Sequence, residues 1–328
     1  TTLGSEWEEG DWEADVKFVY QEDTYKPIDY FNVDFVIPDV DATYDLDSYL
    51  FPVVAIDNGG SIDDSSQFAI EDFTIRDRNR GEMDTIGSAN LRWKNAFGNE
   101  KLSLRIGAKS RQRDFDTLSE TAYYGASSDL PLTLADAEWT NNGINLISDR
   151  YRYGPAVDRV KIESLIEQNF DSFPYDERRS REVSDSSAYS VQEQVDAMYA
   201  MGDYSVGNWR ALVGVRQERT SIDFEANEVL LGNDTLDKDL DGDFDEIVYL
   251  STSPTFGSND YSHYFPNTHL RYRLNESTTF ITSYTETIDR PLYADVVPYR
   301  LVTLEDREVD EGNPSLRPTL YTNFDFSV

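Results

Sequence analysis

The run most suited to chemistry in this sequence is D-K-D-L-D-G-D-F-D-E, Asp237 to Glu246. Asp237, Asp239 and Asp241 take the first, third and fifth places of a calcium loop, Gly242 takes the sixth, and Asp243 and Asp245 follow. That spacing surrounds a hard cation with oxygen ligands. The twelfth place, where a bidentate Glu closes such a site, is Val248, and no helical pattern flanks the run. A solvated acidic loop tip is the competing reading, so calcium at 237–248 is an optional ligand and no cofactor is required. Other reactive constellations are thin. His263 and His269 share a strand face but lie six residues apart, too far for one metal. With 63 Asp and Glu, carboxylate pairs suited to glycoside hydrolysis arise by chance and none stands out. Asp57-Asn58-Gly59-Gly60 is a turn signal rather than a phosphate loop. No nucleophile motif is present, and the expectation is a protein that is not an enzyme. Trp139, Tyr151 and Tyr153, in a long polar stretch, could stack on sugar rings or pack the loop itself.

The composition narrows the class further. The 29 Lys and Arg against 63 Asp and Glu leave a formal charge of −34, a field that repels phosphate and argues against nucleic acid as a partner. There is no Cys, hence no disulfide framework, thiolate metal site or cysteine nucleophile. Mean hydropathy is −0.59, and no stretch approaches the ~18 apolar residues of a membrane helix. So acidic a chain is a candidate for disorder, but 21 Tyr, 17 Phe and 5 Trp are far more aromatic surface than disordered acidic chains carry. The expectation is a folded, aromatic-rich chain.

The elements that must carry these residues read as strands, because the dominant periodicity is two. Trp12, Ala14, Val16, Phe18 and Tyr20 alternate with Asp11, Glu13, Asp15, Lys17, Val19 and Gln21. The split recurs at Leu102–Ala108, at Trp209–Val215, at Leu270–Leu274 and at Leu320–Phe326. Hairpins are expected between strands 84–97 and 100–116 at Gly98-Asn99, between 188–206 and 209–226 at Gly207-Asn208, and between 261–274 and 278–289 at Asn275-Glu276-Ser277. The other ends run into long loops, 117–187 and the acidic stretch 227–260. A soluble sandwich also alternates, but its strands are typically about 5–6 residues long. A transmembrane barrel needs about 9–11 tilted residues, often extended beyond the membrane. Eight steps from Trp12 to Tyr20 at ~3.3 Å and ~40° tilt place two aromatics roughly 20 Å apart along the normal, suited to two interfacial girdles.

One region is more specific than periodicity. It reads Y-S-H-Y-F-P-N-T-H-L-R-Y-R-L-N-E-S-T-T-F-I-T-S-Y-T-E-T-I-D-R-P from Tyr261, and then E-G-N-P-S-L-R-P-T-L-Y-T-N-F-D-F from Glu311. This resembles the β-barrel of the TonB-dependent outer-membrane receptors, in particular the carbohydrate-associated group of proteobacteria. Pro266, Asn267, Leu270, Arg271 and Tyr272 fit the family's first strand element, Arg290 and Pro291 the end of the following hairpin, and Gly312, Asn313, Pro314, Leu316, Pro318 and Asn323 the re-entry element. Segments 191–219 and 71–113 are similar to earlier barrel hairpins. These motifs read as structural: Pro314 and Pro318 stop pairing, Gly312 and Asn313 tolerate a positive φ, and Arg290 before a proline is extended and pairs within the barrel wall or meets a plug domain.

What the resemblance implies is an all-β fold, a partial antiparallel transmembrane β-barrel with long extracellular loops, residues 1–328 supplying about nine to eleven strands of a barrel of about 22. The chain opens in alternation without a basic and apolar leader and ends inside a strand, so the expectation is an internal section, with the plug domain and the C-terminal strands absent. The implied function is uptake of a scarce nutrient across the cell outer membrane, a carbohydrate first and a siderophore second. The implied partners are outer-membrane lipid, the receptor's own plug domain, the TonB complex through an N-terminal region, and the extracellular ligand. The alternative from another class is a secreted β-sandwich that binds carbohydrate or mediates adhesion through calcium-bound loops.

Overall fold

The computed structural model of the chain describes residues 1–26, 30–38, 40–45, 53–56, 60–61, 63–139, 145–146, 151–152, 154–233, 247–304 and 306–328. In chain order the elements are β1 (Thr2–Glu9), β2 (Trp12–Tyr25), β3 (Tyr30–Val36), β4 (Ala42–Asp45), β5 (Val53–Ile56), β6 (Ala69–Trp93), β7 (Leu102–Gly125), β8 (Asn145–Leu146), β9 (Tyr151–Arg152), α1 (Arg159–Gln168), β10 (Tyr175–Asp176), α2 (Glu177–Ser186), β11 (Tyr189–Val206), β12 (Trp209–Asn233), β13 (Ile247–Arg273), β14 (Thr279–Asp289), α3 (Tyr293–Val296), β15 (Arg300–Thr303), β16 (Glu308–Glu311) and β17 (Thr319–Ser327). Among the described residues no helix is long and apolar enough to cross a membrane.

One antiparallel wall dominates. Nine strands follow one another in the order β1-β2-β6-β7-β11-β12-β13-β14-β17, with β1 and β17 at its edges. An all-β, partial barrel wall is thus present, and the sandwich alternative fails because these strands form a single sheet. Two compact units share the chain. The first comprises Thr1–Lys26, Arg78–Ser119 and Glu182–Val328; the second comprises Pro27–Asp77 and Glu120–Arg181.

In the first unit the register lines up the apolar sides of successive strands. Trp12 faces Trp93, Ala14 faces Leu91 and Val16 faces Ala89 across β2–β6. Ile106 faces Ala200 across β7–β11, Ala200 faces Val215 across β11–β12, and Val215 faces Pro266 across β12–β13. This face has nothing packed on it: Val16 is 53% exposed, Val213 55% and Met198 62%. A continuous apolar band of this kind on a soluble protein would be a large unfavourable patch, whereas a barrel turns it to lipid. Aromatics concentrate at its turn end, where Trp12 stacks on Trp93 at 5.1 Å and Trp209 meets Tyr272 at 4.4 Å. The band makes a sharp expectation. Val213→Arg should cost about 2–4 kcal/mol in urea titrations of protein refolded into lipid vesicles, while Arg at the inward neighbour Leu212 should cost less than about 1. Equal costs at both positions would remove the assignment of faces.

The short turns explain the hairpins. Gly207 (φ +55°) turns β11 into β12, and Gly10 (φ +57°) turns β1 into β2, a hairpin that the periodicity reading did not separate. Asn275 Oδ1 accepts from the Ser277 and Thr278 amides at 3.0 and 2.8 Å, which closes the third turn. Three boundaries differ from expectation. β6 stops at Trp93 and β7 starts at Leu102, because Asn95, Phe97 and Gly98 all take positive φ and cannot continue a strand. The expected loop 227–260 is mostly strand: β12 runs to Asn233 and β13 starts at Ile247. The expected loop 117–187 is also structured, with β7 reaching Gly125 and helices α1 and α2 inside it. Apolar residues at every second position here are interrupted by acids, so polarity masks the strands.

The second unit has its own aromatic core. Phe73, 1% exposed, stacks on Tyr124 at 4.8 Å and meets Phe173 edge-on at 5.1 Å, with Ile162 and Ile166 of α1 completing the cluster. Asp158 caps α1 by accepting from the Val160 and Lys161 amides, satisfying donors the helix leaves open. Arg179 closes on the buried Asp72 at 2.6 Å.

Candidate functional site

The face of the wall opposite the apolar band carries its charge. Strand parity puts Asp15, Asn90, Gly107 and Tyr199 on it as neighbours: Asn90 donates to Asp15 at 2.7 Å and accepts from the Tyr199 hydroxyl at 2.7 Å. Gly107 makes room for this pair, since a Cβ there would run into Asn90 Oδ1 and the Tyr199 ring and displace both side chains. Further along, Arg111 grips Asp84 with two bonds of 2.9 and 2.8 Å, and Arg113 grips the same carboxylate at 3.2 and 3.1 Å. Two-bond guanidinium–carboxylate pairs fix orientation as well as charge.

Onto this face folds the segment that follows β14. Arg290 donates from Nη2 to Glu218 Oε2 at 2.9 Å and lies 3.9 Å from Glu193 Oε1. Glu218 also holds Arg216 at 2.6 Å. Glu193 is only 5% exposed and accepts from the Tyr293 hydroxyl at 3.3 Å. Burial, reinforced by the charge of Glu193, pushes the Tyr293 hydroxyl well above its ordinary range, which keeps it a donor. Val296 and Val297 then bury against Phe115, Val191, Ile222, Phe224 and Ala226 of the wall. β15 adds in parallel beside the far end of β12, pairing Glu228–Leu231 with Arg300–Thr303, and Arg300 bridges Glu228 and Glu311.

The return of this segment uses the G-N-P run. The Gly312 amide donates to Tyr299 O at 3.1 Å and the Asn313 amide to Asp295 O at 2.9 Å. A Cβ on Gly312 would lie 1.9 Å from the carbonyl oxygen of Val297. Gly312 and Asn313 do not have positive φ, so the expectation for them is corrected: glycine is needed for close approach of two backbones, not for a left-handed turn. Asn313 Oδ1 accepts from the Ser315 amide at 2.9 Å, and Asn259 of β13 donates to Pro314 O at 2.7 Å and Leu316 O at 3.1 Å. Together these enclose a cleft of about 370 Å³ over the inner face, lined by Lys109, Arg111 and Arg113 on one side and by Arg216, Glu218 and Arg290 on the other.

The remaining motif residues divide between wall and site. Pro266 has no N–H to donate, and the β13–β14 ladder ends one residue short of it at Asn267 and Thr285. Leu270 and Tyr272 face the apolar side opposite Ala211 and Trp209, Arg271 lies opposite Arg210, and Asn323 pairs with Thr285. Pro291 lines the cleft beside Arg290, and Pro318 directly precedes β17. Arg290 therefore pairs with carboxylates of the barrel wall. His263 sits between the Tyr261 and Phe265 rings, and Phe265 lies opposite Arg216. Trp139 is exposed in the second unit. Tyr153, the side chain of Tyr151 and the whole acid run Asp237, Asp239, Asp241, Asp243 and Asp245 lie outside the described residues. Among the described residues no three acid or His side chains converge on a metal site.

Sequence reasoning did not single out Glu193, Glu218, Tyr261 or Tyr293. Parity carried part of the signal: Glu193 and Glu218 occupy inward places on strands whose outward places are apolar. A family model described as the outer membrane protein beta-barrel family matches residues 162–328, from within α1 to the end of the chain. No curated protein matches the chain.

Proposed function

The chain belongs to the outer membrane protein beta-barrel family and lies in the cell outer membrane, and from this premise we propose that it forms barrel wall of a TonB-dependent receptor for a scarce nutrient, a carbohydrate before a siderophore. The observation that carries this reading is the use made of the receptor-like motifs. Arg290-Pro291 and Gly312-Asn313-Pro314 all serve to seat one segment on the charged inner face, through Glu218, Glu193, Val297 and Asn259. A barrel that only anchors a protein in lipid has no use for an inward segment locked by buried ion pairs. A receptor needs shaped, polar surface there, against a plug domain and around a ligand. In this reading the protein performs no chemistry: the outer ends of the strands and the inner face capture ligand, and the TonB complex, driven by the proton gradient, rearranges the plug.

The test begins with the encoding gene, read outward in both directions for a plug domain and further alternating strands. Deleting the gene in its host should then abolish growth on a limiting oligosaccharide, and uptake should stop when a protonophore collapses the gradient. Uptake that continues without the gradient overturns energy-coupled transport. Loss of growth only under iron starvation moves the cargo from carbohydrate to siderophore.

A further inference from the structure

The cleft under the 290–293 segment departs from the chain's overall electrostatics. The protein carries −34, yet five cations, Lys109, Arg111, Arg113, Arg216 and Arg290, line this cleft against two carboxylates, Glu193 and Glu218. Both carboxylates are already engaged, Glu218 by Arg216 and Arg290 and Glu193 by Tyr293 and Arg290. Asp84, which holds Arg111 and Arg113, and Glu82, which holds Arg113 at 2.7 Å, sit behind them on β6, so Lys109 is the cation left over. Lys109 makes no ion pair among the described residues and stands on the same face of β7 as Arg111 and Arg113. Cations confined in a low-dielectric recess focus a positive potential even in an acidic protein.

A second, independent feature points into the same place. The Tyr261 hydroxyl is buried and makes no hydrogen bond, and Nε of Arg290 makes none either, facing Glu193 Oε1 only at 3.9 Å. Buried donors without acceptors are costly unless something else supplies one. Both residues line the cleft, whose floor is apolar, formed in part by Val195, Ile222 and Phe224, and the Tyr293 ring stands at its rim. A volume of about 370 Å³ is within the range of small-ligand sites. Cationic walls, unused donors and aromatic faces together describe the complement of a sugar that carries a carboxylate: the anion against Lys109 and Arg290, the ring against tyrosine.

We propose that this cleft is a binding subsite for an acidic saccharide, recognised through its carboxylate by Lys109, Arg290 and Tyr261. The inference rests on the receptor reading above and adds the class of cargo to it. Lys109 supplies the unpaired charge, Arg290 a guanidinium already held by Glu218 and Glu193 that fixes the wall of the cleft, and Tyr261 a neutral donor without a hydrogen-bond partner.

The full-length gene product, purified from outer membranes in detergent, is titrated calorimetrically with trigalacturonate, its methyl ester and maltotriose. Trigalacturonate should bind, the two neutral sugars at least tenfold more weakly, and affinity should fall as salt is raised. Lys109→Gln should weaken trigalacturonate at least tenfold and leave maltotriose unchanged. Tyr261→Phe, which keeps the ring and the fold, should weaken it about threefold to tenfold. Equal affinity for the acid and its methyl ester, or no effect of either substitution, overturns the proposal while leaving neutral-carbohydrate uptake standing. Displacement of trigalacturonate by equimolar inorganic phosphate would mean that only charge is read, and also overturns it. Binding seen only after removal of the plug domain would assign the cleft to an acidic side chain of the plug instead. Failure of proton-gradient coupling in cells with these affinities intact would sink the transport reading and not the subsite.

Discussion

Arg290→Met is expected to cost about 3 kcal/mol of barrel stability, the lower end for a broken buried pair because the arginine is 30% exposed. Methionine keeps most of the unbranched stem, so packing against Pro291 and the wall is largely retained. What disappears is the cation between Glu218, at 2.9 Å, and Glu193, at 3.9 Å, the latter only 5% exposed. Glu218 keeps Arg216 at 2.6 Å, so the uncompensated charge is that of the buried Glu193, and stranding one buried charge is more costly than never having built the pair. The Tyr293 hydroxyl remains on Glu193 but supplies only one neutral donor. Equilibrium urea unfolding in vesicles measures the loss. A double-mutant cycle with Glu218→Gln isolates the pair, and the double variant should recover at least about 1 kcal/mol relative to the sum of the singles. A cycle that is strictly additive would show that Arg290 acts without Glu218.

Gly312→Val should unseat the whole inward segment. Any Cβ here would overlap the Val297 carbonyl oxygen, with 1.9 Å between them, and the obstacle is backbone rather than a side chain that can turn away. Overpacking ordinarily costs about 1–3 kcal/mol, and a rigid backbone obstacle belongs at the top of that range or beyond. Relief requires separating 297 from 312, which breaks the Gly312–Tyr299 and Asn313–Asp295 backbone bonds and withdraws Pro314 and Leu316 from Asn259. The wall itself is untouched, since β11–β14 do not depend on this contact. The variant should keep the heat-modifiable migration of a folded barrel while trypsin cuts after Arg300, a residue held in the native protein by Glu228 and Glu311. Arg300 that stays protected in a folded Gly312→Val barrel would contradict this account.

The wall was legible because a strand with lipid on one side and water on the other must alternate at every residue. Trp12–Tyr20 and Trp209–Val215 each display that signal without help from any other part of the chain. The upper halves of the same strands were not legible. Beyond Arg216, β12 leaves the apolar band and its apolar places change face: Ile222, Phe224 and Ala226 point inward under Val296 and Val297, while Asp223, Glu225 and Asn227 point out, so the pattern inverts along one strand whose ladder to β13 continues to Asn233. The inner site was readable only in outline. Arg290, Gly312 and Asn313 stood out through the resemblance, but their partners Glu193, Glu218, Val297 and Asn259 lie on segments brought together by register. Register across four strands is a product of hairpin geometry and cannot be read from any one strand. Gly312 shows the limit most clearly: its chemical meaning depends on a carbonyl fifteen residues earlier, and a left-handed turn was the natural but incorrect reason for it.

Pro266 gives the wall a seam. Below it, β13 and β14 are joined by the regular ladder from Asn267 to Arg273; above it, β14 pairs only with β17, and what meets the upper part of β13 on that side is a set of side-chain contacts, Asn259 to Pro314 and Leu316 and Thr255 to Pro298. A ladder breaks only cooperatively, whereas a few side-chain latches can be released singly. The nine-strand wall therefore changes its kind of joint along one line, from backbone pairing below Pro266 to side-chain contacts above it.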